Sequence, residues 1–263
     1  MTVSSLDKIE TFQSWAQDYY EPAALRYYDR AIAKMVRLLD PKPGSVVLDA
    51  GCGTGVHSIR VANLGFKVRA IDISDVVLQT AKRNAQQAGV ADKIEFEQAD
   101  LTKLRFEDSS FENIFSWGVI IHIPQIDQAL AELVRVLAPG GRLALQITNS
   151  RAWDYGVESL ARMVLRKPPN GEERLPFGIG GWCDMHGGRL YNWRTDIRAI
   201  TKLMRNLGCR RIHRSAAEFT EMQRRANGAV ARNLCRSINR AWFAMRLPAG
   251  PAITNLLVFQ KPS

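Results

Sequence analysis

The chain has 263 residues, 46% hydrophobic and 24% charged, which suits one large soluble domain or one domain with a lid. No apolar run reaches the roughly 20 residues of a membrane span, and the opening residues lack the basic start and apolar core of a secretory signal. The formal net charge of +10 is uneven: residues 189–246 carry 14 Lys and Arg against 3 Asp and Glu, whereas 1–188 carry 21 against 23, so an anionic partner is sought in the late segment. Cys52, Cys183, Cys209 and Cys235 show no CxxC or metal-like spacing. They read as reduced thiols of a cytoplasmic protein with no metal site.

In chain order, Phe12, Trp15, Ala16 and Tyr19 fall at helical spacing, and 23–39 repeats Leu25, Tyr28, Ile32, Met35, Val36 and Leu39 likewise. Pro41, Pro43 and Gly44 end that region. Residues 46–49 form a short apolar run bounded by turn residues, as a buried parallel strand does. A helix over 56–64, a strand over 67–73 and a helix over 75–88 follow, the last with Ser74 as N-cap. Strands are expected at 94–97 and 111–117, a helix at 125–137 and, after Ala138-Pro139-Gly140-Gly141, a fifth strand at 142–148. This alternation means a doubly wound α/β sheet with right-handed crossovers.

After Thr148 the pattern stops. Residues 149–193 are rich in Gly, Pro and Trp and too long for a simple connection. Thr195 is then expected to cap a helix bearing Ile197, Ile200, Leu203 and Leu207. Further strands are expected at 210–214 and 255–260, with a mostly helical insertion over 215–254. The resulting divisions are a helical cover (1–44), a core (45–148), a lid insertion (149–193) and a C-terminal part of the core (194–263) that carries the basic insertion.

In such a sheet the ligand sits beyond the carboxyl ends of the strands. The first of these turns contains Gly51, Gly53 and Gly55, which allow a tight bend and close approach to a ligand. The third glycine comes one residue too early for the dinucleotide fingerprint GxGxxG. Asp49, two positions before the first glycine, suits a cationic ligand better than a pyrophosphate.

The run VVLDAGCGTG at 46–55 resembles the first motif of class I S-adenosylmethionine-dependent methyltransferases, and later motifs follow in order. The similarity to the ubiquinone/menaquinone-biosynthesis and small-molecule group implies a Rossmann-like seven-stranded sheet, mostly parallel with an antiparallel last strand, plus lid insertions. It implies that Gly51, Cys52, Gly53 and Gly55 form the cofactor turn, with Cys52 a small filler and not a nucleophile. Asp49 is assigned to the methionine amino group, and it also reads as a cap of the turn. Asp72, followed by Ile73, would bind the ribose hydroxyls. Asp100 and Leu101 would meet the adenine, and Ser116 and Trp117 would line the methionine part. Phe12-x-x-Trp15-Ala16-x-x-Tyr19 matches a segment that folds over the cofactor in many relatives, where Tyr19 would bond the methionine carboxylate; otherwise it is a helix packed on the sheet.

The donor supplies an electrophilic methyl, and the protein aligns an acceptor behind it. His122 is the candidate general base, although Ile121 precedes it where relatives often have Glu or Asp. His186 is an alternative. Trp153, Tyr155, Trp182, His186 and Tyr191 are the candidate acceptor-pocket residues in the lid. In the second insertion, Phe219, Met222, Ala226, Val230, Leu234, Ile238, Ala241, Trp242 and Met245 repeat at helical spacing, while Arg225, Arg232, Arg236 and Arg240 share another face. That segment would receive an anionic membrane surface or substrate, or present a solvated arginine face. The expected activity is methyl transfer from S-adenosylmethionine to a small-molecule or lipid-like acceptor, with oxygen slightly favoured over nitrogen. The alternatives are a tRNA or other RNA methyltransferase and a non-catalytic cofactor-binding protein; no nucleic-acid-binding module is visible.

Overall fold

A computed structural model describes residues 22–166, 172–185, 188–222, 228–245 and 247–263. Helix α1 (Pro22–Leu39) precedes a seven-stranded sheet with spatial order β3-β2-β1-β4-β5-β10-β9. The strands are β1 (Val46–Ala50), β2 (Lys67–Asp72), β3 (Ile94–Gln98), β4 (Phe111–Trp117), β5 (Leu137–Thr148), β9 (Arg210–Glu218) and β10 (Thr254–Gln260). Strands β1 to β5 pair in parallel, and β10 runs antiparallel to both β5 and β9. This is the expected Rossmann-like sheet with a reversed last strand.

Alternate residues of the central strands feed two apolar layers. Leu48 and Ile114 enter one with helices α4 (Ile126–Val136) and α6 (Ile197–Asn206), whereas Val47 and Phe115 enter the other with α1, α2 (Val56–Asn63) and α3 (Asp75–Gln87). Helix α1 buries Tyr28, Ile32, Met35, Val36 and Leu39, a stripe at helical period. Its C-terminal carbonyls are satisfied from the sheet: Asn113 Nδ2 donates to Leu39 O at 2.8 Å, and Arg142 Nη1 to Leu38 O at 3.0 Å.

Three details differ from the sequence reading. Strand β5 begins at Leu137, and its register with β4 jumps from Phe111–Leu137 to Asn113–Arg142, so the Pro-Gly-Gly turn is an irregular excursion within the strand. The cap of α6 is Asp196, whose carboxylate accepts from Arg198 N and Ala199 N; Thr195 ends a strand instead, and its hydroxyl donates to Thr148 O. Strand β9 runs on to Glu218, so the second insertion begins at 219.

The first insertion is regular where no pattern was expected. It contains helix α5 (Trp153–Val164) and a three-stranded antiparallel sheet of β6 (Glu173–Leu175), β7 (Gly178–Met185) and β8 (Gly188–Thr195). The expected helical insertion is represented by α7 (Ala229–Ala244). Among the described residues, no helix is long and apolar enough to cross a membrane.

Candidate active site

The carboxyl ends of β1, β2 and β3 bring Asp49, the glycine turn, Asp72 and Asp100 to one edge of the sheet. The turn is held from below, since the amides of Gly51 and Cys52 both donate to Ile71 O at 2.8 Å. It is also held from the side, where Gly53 N donates to Asp72 Oδ2 at 2.9 Å and Ser74 N to Asp72 Oδ1 at 3.1 Å. Asp72 thus ties the end of β2 to both the turn and the start of α3. Gly51 has φ +93°, and a Cβ there would lie 2.4 Å from a methyl of Val119. Glycine is required because the loop after β4 folds directly over this residue.

Asp49 is 2% exposed. Burial pushes its carboxyl up from 3.8 to about 7; the Ser58 bond opposes the rise and the nearby Asp72 charge adds to it. Ser58 Oγ donates to Asp49 Oδ2 at 2.5 Å from inside α2. Burial also raises Asp72, against the amides of Ser74, Gly53 and Ile73 that favour its ionised form. Two neighbouring carboxyls resist ionisation in this edge, so a bound cation would be favoured there. Burial holds the Cys52 thiol well above its usual range, which removes it as a nucleophile at neutral pH.

Asp100 is exposed, and its Oδ1 accepts from Thr102 N at 2.8 Å and Thr102 Oγ1 at 2.7 Å; Leu101 beside it is buried. Ile73 O accepts Gln98 Nε2 at 2.8 Å, joining the loops after β2 and β3. Ser116 and Trp117 point into the core. Ser116 Oγ donates to Ala50 O at 2.7 Å, and Trp117 lies 5.5 Å from the His57 ring, which lies 5.2 Å from Tyr28. Any contact of these two residues with a ligand beyond the strand ends would therefore fall to their backbone. Burial pushes His57 down to about 3, so this ring is a neutral packing element.

His122 ends a short 3₁₀ turn (Ile120–His122) after β4. Its Nδ1 lies 3.0 Å from Tyr191 O on β8, and burial lowers its pKa against that carbonyl. A carbonyl accepts only, so Nδ1 carries the proton and Nε2 is the basic nitrogen of a neutral ring. Trp193 Nε1 donates to Ile123 O at 2.8 Å, and Thr148 Oγ1 to Trp193 O at 2.5 Å. The three-stranded sheet is thereby clamped to the end of β5 and to the 3₁₀ turn.

The lid candidates do not form one cluster. Tyr191 is buried, with Trp182 edge-on at 5.5 Å on one side and Trp193 at 5.5 Å on the other. Tyr155 lies beneath the Arg194 guanidinium, 4.1 Å from its ring centre, while Trp153 is exposed on α5. Tyr19 and the segment around it, His186 and Arg225 lie outside the described residues. Sequence reasoning missed Ser58, which holds Asp49, and Val119, which covers Gly51. Val119 carried no signal beyond an apolar run; Ser58 lies nine residues beyond Asp49, and only the fold of the turn brings them together.

Residues 47–141 match the family model described as a methyltransferase domain. Methyltransferase GfsG of Streptomyces halstedii is 36% identical over 118 residues, 44% of this chain and 42% of that protein. A sterol 24-C-methyltransferase of Gibberella zeae is 32% identical over 134 residues, 48% of this chain and 35% of that one. The ubiquinone/menaquinone biosynthesis C-methyltransferase of Bartonella henselae is 39% identical over 107 residues, 39% and 41% of the two chains. This chain thus spans less than half the length of each of these relatives. Among solved structures, the [4+2]-cyclase SpnF superposes with a TM-score of 0.60 at 19% identity, over 89% of this chain and 80% of the other. A putative sarcosine dimethylglycine methyltransferase of Galdieria sulphuraria superposes with a TM-score of 0.58 at 16% identity, over 91% and 86%. With the glycine turn and the acidic strand ends already in place, residues 47–141 are similar to the methyltransferase domain family, and the chain shares the fold of the solved structures named above.

Proposed function

We propose that this protein transfers a methyl group from S-adenosylmethionine to a small, lipid-like acceptor, with oxygen slightly favoured over nitrogen as the methylated atom. The observation that carries the reading is the set of carboxylates at the ends of β1, β2 and β3 around a glycine turn. That donor set fits the cofactor: Asp49 suits the cationic methionine end, Asp72 the paired ribose hydroxyls, and Asp100 the adenine amine. When bound, the cofactor supplies an electrophilic methyl on a sulfonium that leaves as a neutral thioether. The chain's own work is to orient the cofactor, exclude water and place the acceptor.

Acceptor chemistry is assigned to the space between the 3₁₀ turn and the lid. His122 is neutral and fixed in one tautomer by Tyr191 O, which makes Nε2 the nitrogen suited to take a proton from a hydroxyl. The sterol and quinone-pathway names among the relatives support a lipid-like acceptor. A second reading is that the fold serves another reaction or binds the cofactor without turnover; its support is the likeness to a [4+2]-cyclase. Incubation with methyl-labelled cofactor and fractionated lipid extract decides between them. Label in an extractable product, reduced by His122→Ala with cofactor affinity kept, supports the transfer; cofactor binding without label transfer to any fraction refutes it.

A further inference from the structure

We propose that α5 and α7 together form a surface that docks on an anionic lipid bilayer. On α5, Trp153, Leu160, Met163 and Val164 are each at least 58% exposed, and 153, 160 and 164 fall on one face. On α7, Val230 is 85% and Leu234 62% exposed, and Ile238 and Met245 continue the same stripe at spacings of four and seven. Large apolar side chains exposed in such continuous stripes mark a contact surface.

The two helices are braced at the same end of the sheet. Asp154 Oδ2 accepts from Thr220 Oγ1 at 3.0 Å and from Glu221 N at 2.8 Å. Thr220 is in turn gripped by Asn239 of α7, which accepts its amide at 2.9 Å and donates to its carbonyl at 2.9 Å. Trp153 N donates to Pro251 O at 2.9 Å, just before β10. Phe219 stacks on Trp242 with ring centres 3.9 Å apart, fixing the C-terminal half of α7. Strand β5 ends at Thr148, so α5 starts from the carboxyl edge where the candidate site lies.

Charge selects the occupant. Helix α7 contains no Asp or Glu and carries Arg232, Arg236 and Arg240. On α5 both carboxylates are engaged: Asp154 is buried, and Glu158 pairs with Arg162 and Arg194 at 3.4 Å. A second copy of this face would set arginine against arginine. A bilayer with anionic headgroups accepts both the apolar stripes and the cations, whose long stems reach past the helix to the phosphate level. Docking there would turn the carboxyl edge toward lipid. This adds to the lipid-like acceptor reading but is measurable without methyl donor or acceptor.

The test is co-sedimentation of the full chain with phosphatidylcholine vesicles, with and without phosphatidylglycerol. The expected result is binding at least about tenfold stronger to the anionic vesicles, weakened by salt. Leu160→Asp with Val164→Asp, and separately Arg232→Gln, Arg236→Gln and Arg240→Gln together, each reduce it by about tenfold or more while thermal unfolding stays cooperative. Equal binding to both vesicle types, or binding untouched by either set of substitutions, overturns the proposal. So does a concentration-dependent dimer abolished by the aspartates, or RNA binding through the same arginines without vesicle binding. Because no methyl transfer is measured, failure here leaves the proposed reaction standing, and the converse also holds.

Discussion

Asp49 offers the sharpest test of the site, because its carboxyl is buried beside a second acid and titrates near 7. A rise from 3.8 to about 7 corresponds to about 4 kcal/mol at 1.36 kcal/mol per tenfold. The sign is fixed by linkage: a carboxyl whose folded pKa is raised stabilises the fold fully below the unfolded value, and that stability is lost as pH climbs through 7. Asp49→Asn removes the titration and keeps an acceptor for Ser58 Oγ. At pH 8 it should stabilise the ligand-free protein, by at most about 4 kcal/mol. A cationic ligand end beside Asp49 favours the ionised form, so binding at pH 6 should expel up to one proton per cofactor. Affinity should then rise up to tenfold per pH unit towards 7 and flatten above it. Titration calorimetry at pH 6 in buffers of different ionisation enthalpy reads this directly. Of the two rings described near the site, burial pushes His57 down to about 3 and lowers His122. Proton release that is absent in the wild type, or that persists undiminished in Asp49→Asn, would refute the assignment of Asp49 to the cationic end.

Gly51→Ala combines a left-handed φ with a Cβ placed 2.4 Å from Val119. It should cost about 2–4 kcal/mol by thermal unfolding. Val119→Ala added to it removes the methyls at 2.4 and 2.5 Å but leaves the Cβ of residue 119 at 2.8 Å, so it should recover part of the clash and none of the backbone strain; wild-type stability of the single variant would remove Val119 as the residue covering the turn. Trp193→Phe keeps an aromatic side chain but removes the indole N–H that the Ile123 carbonyl accepts. A loss of about 1–3 kcal/mol is expected, with faster hydrogen exchange across the lid sheet, and unchanged exchange there would show that this bond does not clamp the lid.

The parts of the molecule legible in the sequence are those where local pattern and global fold agree. The strand ends with Asp49 and Asp72 were readable because a short β-branched run, an acid and a glycine turn leave few other local solutions. The lid was not, because β7 carries Gly178, Gly180 and Gly181, a composition that reads as loop. Its strand character comes from pairing with β8, and Gly180 is small because the Tyr191 hydroxyl occupies the place of its missing Cβ, 2.2 Å away. The cap of α6 was misplaced by one residue for a similar reason. Thr195 and Asp196 are both good caps by type, and the choice was made by Thr148, whose backbone carbonyl accepts the Thr195 hydroxyl. Ser116 and Trp117 show the complementary effect. They lie at the strand end as expected, yet alternation along β4 sends their side chains to opposite faces of the sheet, and both are buried, Trp117 in the layer with Phe115 and Ser116 with its hydroxyl on Ala50 O. Sequence thus located these strand ends, while side-chain direction there was decided by partners 19 to 66 residues away, such as Gly53 N for Asp72 and Ala50 O for Ser116. The proposed acceptor side rests on such a long-range contact as well, with His122 held by Tyr191, 69 residues on. Under the proposed function, its chemistry depends on how the three-stranded sheet docks on the 3₁₀ turn and on no single motif.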